Sequence, residues 1–233
     1  MKKEDKNNID ILHPKFRNQI EDVFKNVNSS ISMLYDSATK DVKTGVYNYN
    51  FFNNLFNIEM EKAKRGLQKL SLFVLDIDHF KKINDNYGHV QADKLLVNLA
   101  QILEKNVRKS DIVARFGGEE FVILLPETEI ERAKEVTSRI KKEITEDNIM
   151  KKHSLTISGG LTEFIKGDNA EKMIKRADKA LYDAKNSGRN RLVAIGLKEK
   201  KEEFEFIEGK IKGIKKIKKI NKKKILRELK EII

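Results

Sequence analysis

Apolar residues at positions 9, 12, 16, 20, 23, 27, 31 and 34 step along the chain by three, four and four, an 11-residue repeat. That period places them on one stripe of a helix. Pro14 suits a first helical turn, where a missing N–H costs no bond, so the helix proper is expected from there to Tyr35. Two destinations fit the stripe: the helix packs on its own domain, or it pairs with a second copy of itself.

After residue 40 the pattern changes. "DVKTGVYN" reads as a turn leading into a helix near Asn50–Arg65, and "KLSLFVLDI" as a continuous apolar strand bounded by the polar "DHFKKINDNYGH". Ala92, Leu95, Leu96, Leu99 and Leu103 share one helical face. "DIVARF" and "EFVILL" predict two strands joined at Gly117 and Gly118 as a hairpin. "PETEIERAKEVTSRIKKEI" predicts a helix with Thr128 as its cap. "HSLTISGGL" is a strand interrupted by Gly159 and Gly160, "NAEKMIKRADKALYDAKNSG" a helix ending at Gly188, and "RLVAI" a last strand. The order lacks the regular βαβ rhythm of a parallel sheet, so an α+β architecture is expected, an α/β sandwich with a mixed or mostly antiparallel sheet covered by helices. Beyond it, "EFEFIEGKIKGI" suggests a small hairpin and "KKIKKINKKKILRELKEII" a basic helix. The chain thus divides into an amphipathic helix and linker over 1–40, a core over 41–196 and a lysine-rich extension over 197–233.

Composition narrows the chemistry. The 233 residues include no cysteine, which excludes disulfides and thiolate metal sites. The four histidines, at 13, 79, 89 and 153, have no metal-ligand spacing, and His79 and His89 read as local hydrogen-bonding residues. No apolar run reaches the roughly 18 residues of a membrane span, and "MKKEDKNNID" lacks the apolar core of a signal peptide, so a soluble cytoplasmic protein, not a transmembrane one, is the expectation. Net charge is +12, but residues from Lys198 onward hold thirteen lysines and one arginine against seven glutamates, a net +7. The excess is mostly tail. It reads first as compositional bias, with no specific nucleic acid expected; contact of the basic tail with nucleic acid or an anionic membrane surface is the alternative.

"RFGGEEFVILL" puts two carboxylates at the tip of a tight turn. Either the tip is merely solvated, or it holds a cation. Two adjacent glycines let a ligand's phosphates approach the backbone. Glu119 and Glu120 then point to opposite faces. Asp76 and Asp78 end the strand "LFVLDID"; were the two strand ends neighbours, Asp76 and Glu119 would share a cation, and a few hard oxygens plus phosphate oxygens suit magnesium. Lys185 and Arg189 stand four apart at a helix end, either as helix-terminus cations or as ligands of a triphosphate, and Lys81 offers a third cation. Asn84 and Asp93 are either caps or a carboxylate and an amide that read guanine's N1–H and amino donors.

"LDIDHFKKINDNYGHVQADKLL", followed by "RKSDIVARFGGEEFVILLP", resembles the GGDEF family of diguanylate cyclases, and "DVKTGVYN" and "ADKALYDAKNSGRN" look like its remaining signature segments. The resemblance runs in colinear order from about Asp41 to Ile195. It implies a palm-like domain with a mostly antiparallel sheet. Each domain binds one GTP, and two domains face each other as a homodimer to make cyclic di-GMP. On the matching positions it implies Asp76 and Glu119 as ligands of magnesium, or of manganese in its place, with the carbonyl of Ile77. Glu120 falls beside the metal and the attacking hydroxyl. Asn84 and Asp93 fall on the guanine-reading positions, Lys81, Lys185 and Arg189 on the phosphate positions, and Phe80, Gly117 and Gly118 on further substrate positions. Arg108 and Asp111 in "RKSD" match the family's inhibitory RxxD motif, to which Arg139 adds a cation, so product inhibition is expected. A non-catalytic receptor for cyclic di-GMP is the competing reading. This chain also departs from the family: Lys43 and Val46 stand where leucines are usual and Tyr49 where arginine is usual, which touches the joint between opening turn and core. Gly159 replaces a common apolar strand residue and is expected to loosen its strand.

Overall fold

A computed structural model describes residues 14–196, 201–207 and 210–216. Helix α1, Pro14–Thr39, extends four residues beyond the expected end. Its stripe stays uncovered by the described residues: Phe16, Val23, Val27, Ile31 and Leu34 are each about half exposed or more. Among the described residues, nothing of the core covers the stripe. Its last turn is tied to the core by a Tyr35–Phe51 ring contact, and the residue after it by an isolated bridge from Lys40 to Tyr47.

The core follows as β1 (Tyr47–Asn48), α2 (Tyr49–Lys64), β2 (Leu70–Ile77), α3 (Phe80–Lys105), β3 (Ile112–Gly117), β4 (Glu120–Pro126), α4 (Ile130–Glu146), α5 (Asn148–Lys152), β5 (Ile157–Glu163), α6 (Ala170–Asn186) and β6 (Leu192–Ile195). One mixed sheet runs β1-β3-β4-β2-β5-β6 and continues into two further strands, and only the β1–β3 and β5–β6 pairs are parallel. "RLVAI" is not the last strand: β7 (Lys201–Ile207) pairs with β6 and β8 (Lys210–Lys216) with β7, the small hairpin the sequence suggested. Of the expected basic helix, Lys215 and Lys216 lie in β8 and residues 217–233 lie outside the described residues.

Strand β2 shows why its apolar run is continuous. It sits between β4 and β5 and is covered on both faces. Phe73, Leu75 and Ile77 join the cluster under α3 and α4, while Leu72 and Val74 join the cluster under α2 and α6. The alternation assigns the next residue, Asp76, to the α6 face.

One glycine lets α6 approach, and its neighbour faces the other side of the sheet. A Cβ on Gly160 would lie 2.1 Å from the carbonyl oxygen of Ala177 and 2.3 Å from the nitrogen of Leu181, so any side chain there would lever α6 off the sheet. At Gly159 a Cβ would lie 2.4 Å from the Phe73 ring. The expected loosening is absent: the ring fills the space an apolar side chain would have taken, and both glycines are buried.

Thr128 does not cap α4. Glu129 holds the cap position without a side-chain bond, the Thr128 hydroxyl donates to the carbonyl of Pro126, and the N–H of Ile130 is taken by the Glu163 carboxylate at 3.2 Å. A distant acceptor has replaced the local one.

Candidate active site

The site lies where β2 ends and β4 begins. Their antiparallel register sets Asp76 directly opposite Glu120, on the face toward α6, and Ile77 N–H donates to the Glu119 carbonyl at 3.4 Å. Asp76 is 6% exposed. Burial pushes its carboxyl up; Lys185 opposes this, and the charges of Glu119 and Asp78 add to it. Lys185, in the last turn of α6, donates from Nζ to Asp76 Oδ1 at 2.8 Å. One end of the β2–β4 pair thus carries Asp76, Ile77, Glu119 and Glu120, with Lys185 reaching Asp76 from α6, and Asp76 precedes Glu119 by more than forty residues in the sequence.

The glycine turn is held from behind. Gly117 and Gly118 have φ of 155° and 47°, and Gly118's value suits a residue without Cβ. The guanidinium of Arg115 donates to the Gly118 carbonyl from Nε (3.1 Å) and Nη2 (2.6 Å), and from Nη1 to Asp41 Oδ1 at 3.0 Å. The same Asp41 oxygen accepts the N–H and hydroxyl of Thr44. Desolvation would raise Asp41, but the Thr44 bonds and the charge of Arg115 outweigh it and hold the carboxyl below its usual range. Despite the unusual residues in the opening segment, its turn is locked to the glycine turn, and Val46 is fully buried.

Asp78 has a different task from Asp76. Its carboxylate accepts from the hydroxyls of Thr156 and Ser158, each at 2.7 Å, and from the N–H of Asn190 at 2.9 Å. That latch fixes the segment after α6, where Arg189 and Asn190 both adopt left-handed φ, and so sets where Arg189 leaves the backbone.

Helix α3 starts at Phe80, which is buried, and Lys81 next to it is exposed. Gly88, with φ 77° and ψ 161°, breaks the helix into two segments. Asn84 lies before the break, its amide oxygen 3.1 Å from His89 Nδ1, and Asp93 lies after it, where its carboxylate takes Lys43 Nζ at 2.5 Å. His89 is therefore the local hydrogen-bonding residue the sequence suggested.

Arg108 and Asp111 sit at the far end of β3, about 20 Å from the glycine turn at strand rise. They line a depression with Lys40, Tyr47 and Glu104. Asp111 Oδ2 accepts the Arg108 N–H at 2.8 Å, Oδ1 is buried with no hydrogen-bond partner among the described residues, and burial pushes the carboxyl up. Arg139 reaches the same corner from α4, bonded to the Asn106 carbonyl at 2.6 Å, and its charge acts on Asp111.

Sequence reasoning singled out neither the Arg115 clamp on Asp41, nor the Asp78 latch, nor the Lys43–Asp93 pair. The Asp and Thr three apart in "DVKT" were the available signal for the first, as a turn in which a carboxylate bonds its own backbone.

A family model described as "Diguanylate cyclase, GGDEF domain" matches residues 38–191. The chain belongs to this family. It is 39% identical over 178 residues to the diguanylate cyclase DgcP of Pseudomonas aeruginosa, covering 75% of this chain and 26% of that protein. Diguanylate cyclase A of Treponema denticola is 38% identical over 170 residues, covering 69% of this chain and 45% of that protein. The chain thus spans between a quarter and a half of the length of these relatives. Among solved structures, the coiled coil and GGDEF domain of DgcB from Caulobacter crescentus, in complex with c-di-GMP, superposes with a TM-score of 0.68 at 26% identity, covering 77% of this chain and 97% of that one. Fold and family agree with what the sequence implied, a mostly antiparallel sheet wrapped by helices. No helix among the described residues is long and apolar enough to cross a membrane.

Proposed function

We propose that this chain condenses two GTP molecules into cyclic di-GMP with release of two pyrophosphates. One observation carries the reading: a buried carboxylate, Asp76, stands across the ladder from Glu120 and within the field of Glu119, and one of its oxygens already holds a cation, Lys185 Nζ. The names of the relatives support it.

In the proposed reaction the 3′-oxygen of one GTP attacks the α-phosphorus of the other. A new P–O bond forms, the α–β phosphoanhydride bond breaks, pyrophosphate leaves with the electron pair, and Glu120 takes the hydroxyl proton. The same step with the roles exchanged closes the ring. Asp76, Glu119 and the Ile77 carbonyl are hard oxygen donors that fit magnesium, with manganese as its substitute. Among the described residues no three histidine or carboxylate side chains form a metal cluster, so an ion held here would need further oxygens from phosphate or water. When bound, the ion lowers the pKa of the attacking hydroxyl and offsets charge on the phosphates. Lys81, Lys185 and Arg189 hold the triphosphate, Gly117 and Gly118 let it lie against the backbone, Asn84 and Asp93 read guanine, and Phe80 closes the floor at the start of α3.

One domain holds one nucleotide, so the reaction needs a second copy, and approach of the two halves is itself the positioning step. The uncovered stripe of α1 fits pairing with that copy. At the corner of Arg108, Asp111 and Arg139, cyclic di-GMP binds and inhibits; two guanidiniums beside a buried carboxylate oxygen that has no partner among the described residues suit a phosphodiester and a guanine edge. The proposed division at residues 40 and 196 then separates a pairing helix, a cyclase and a lysine-rich extension whose strands β7 and β8 lengthen the cyclase sheet. The setting is the cytoplasm, where GTP is found.

The test is to incubate purified protein with GTP and magnesium and identify the product by chromatography and mass. Cyclic di-GMP from the wild type, and none from Asp76→Asn or Glu119→Gln, is expected. A wild type that makes no cyclic dinucleotide contradicts the proposal.

A further inference from the structure

Lys43 stands where the family usually carries leucine, and its ammonium lies 2.5 Å from Oδ1 of Asp93. An exposed ion pair is ordinarily worth little and signals nothing. Two features set this one apart. First, its carboxylate is the one assigned above to guanine, so this inference rests on the proposed function. Second, Lys43 projects from a fixed frame: the Asp41 N–H donates to the Val46 carbonyl at 2.8 Å, the Gly45 N–H to the Asp41 carbonyl at 2.9 Å, and Arg115 ties Asp41 to the carbonyl of Gly118. The turn that carries Lys43 is thus bolted to the turn that receives the phosphates. Both side chains are about 40% exposed, so a ligand can reach the pair.

The hydrogen-bond inventory is compatible with a base at this pair. A carboxylate has about four lone-pair sites, and Lys43 occupies one of them, leaving room for guanine's N1–H and 2-amino donors. An ammonium has three donors, and Asp93 takes one. On guanine's Watson–Crick edge the acceptor O6 lies next to N1–H. A cation seated on the carboxylate that takes N1–H is therefore placed beside O6. Adenine presents a 6-amino donor at that point and an acceptor at N1, so both members of the pair would face the wrong partner.

We infer that Lys43 is a specificity-determining residue of this chain, donating to guanine O6 and forming with Asp93 a donor–acceptor pair that reads three positions of the base.

The test compares GTP with 6-thio-GTP, which keeps N1–H and the 2-amino group but offers sulfur, a weak acceptor, in place of O6. Binding to full-length wild type, Lys43→Met and Lys43→Arg is measured by calorimetry with magnesium replaced by calcium to hold back turnover. Wild type is expected to prefer GTP about fivefold, Lys43→Met to lose that preference by weakening GTP alone, and Lys43→Arg, which keeps a donor, to restore it. A merely structural lysine would weaken both nucleotides equally and leave the ratio unchanged, which overturns the inference. Tighter GTP binding by Lys43→Met would also overturn it, marking Lys43 as a competitor that guanine must displace. No GTP binding by the wild type removes the proposed function and this inference together, whereas GTP binding with an unchanged ratio removes this inference alone.

Discussion

Lys185 Nζ lies 2.8 Å from Asp76 Oδ1, so the cation of α6 rests on the carboxylate of β2. The pair offsets only part of the cost of burying Asp76, whose carboxyl remains above its ordinary range because burial outweighs the lysine. A carboxyl raised by folding makes its ionised form a burden on the native state at every pH above the unfolded value, a burden relieved as pH falls through the folded value. Asp76→Asn is therefore expected to raise Tm at pH 7 by about 2 °C while abolishing product formation. Calorimetry and a product assay on one preparation check both. A variant that is less stable and still active would contradict the assignment.

Removing the lysine works in the opposite sense. In Lys185→Met the carboxyl of Asp76 loses its counter-charge and rises further, so the acid limb of kcat/KM against pH is expected to move to higher pH. KM for GTP is also expected to rise about tenfold or more with the loss of a charged phosphate contact. A pH profile superposable on that of the wild type would count against a working contact between the two residues.

The clamp between Arg115 and Asp41 gives a stability prediction with a fixed sign. Asp41 is held below its ordinary value, so its contribution is present above the unfolded pKa and is lost as pH falls through the folded one. Asp41→Asn is expected to lower Tm by about 4 °C at pH 7, with the gap to wild type closing in acid below about pH 4. Thermal denaturation across pH reads this directly. Because the same guanidinium holds the Gly118 carbonyl, a loss of turnover should accompany it.

Gly160→Ala tests how α6 is seated. Its methyl would meet backbone atoms at 2.1 and 2.3 Å, and backbone cannot swing aside as a side-chain tip can. Destabilisation of about 3 kcal/mol is expected, with the positions of Lys185 and Arg189 lost together. Chemical denaturation measures it; a variant within about 0.5 kcal/mol of wild type would mean that α6 is not held by that contact.

Arg108→Ala is expected to raise the concentration of cyclic di-GMP needed for half inhibition at least about tenfold, since a charged phosphate contact is removed. Turnover followed with added product gives the answer. Unchanged inhibition would place the product elsewhere.

What the sequence made legible is what local pattern and spacing can carry. The unbroken apolar run of β2 marked a strand and the paired glycines marked the hairpin, while the acids at the two segment ends marked a site only on the condition that those ends are neighbours, which the β2–β4 register supplies. Contacts set by the folded neighbourhood were hidden. Arg115 and Asp41 are 74 residues apart, and Asp78 finds Thr156, Ser158 and Asn190 across even longer stretches. Gly159 looked like a weakness because the Phe73 ring that fills its place comes from another strand. Thr128 looked like a cap because residue type favours it, yet Glu163 reached the free N–H first.

The central claim is that Asp76 and Glu119 hold a divalent ion against the triphosphate of GTP. Titrating manganese into the protein saturated with a non-cyclisable GTP analogue, and following free manganese by electron paramagnetic resonance, tests it most directly. Tight, nucleotide-dependent binding by the wild type, absent in both Asp76→Asn and Glu119→Gln, is the predicted result. Equal manganese binding by all three proteins would contradict it.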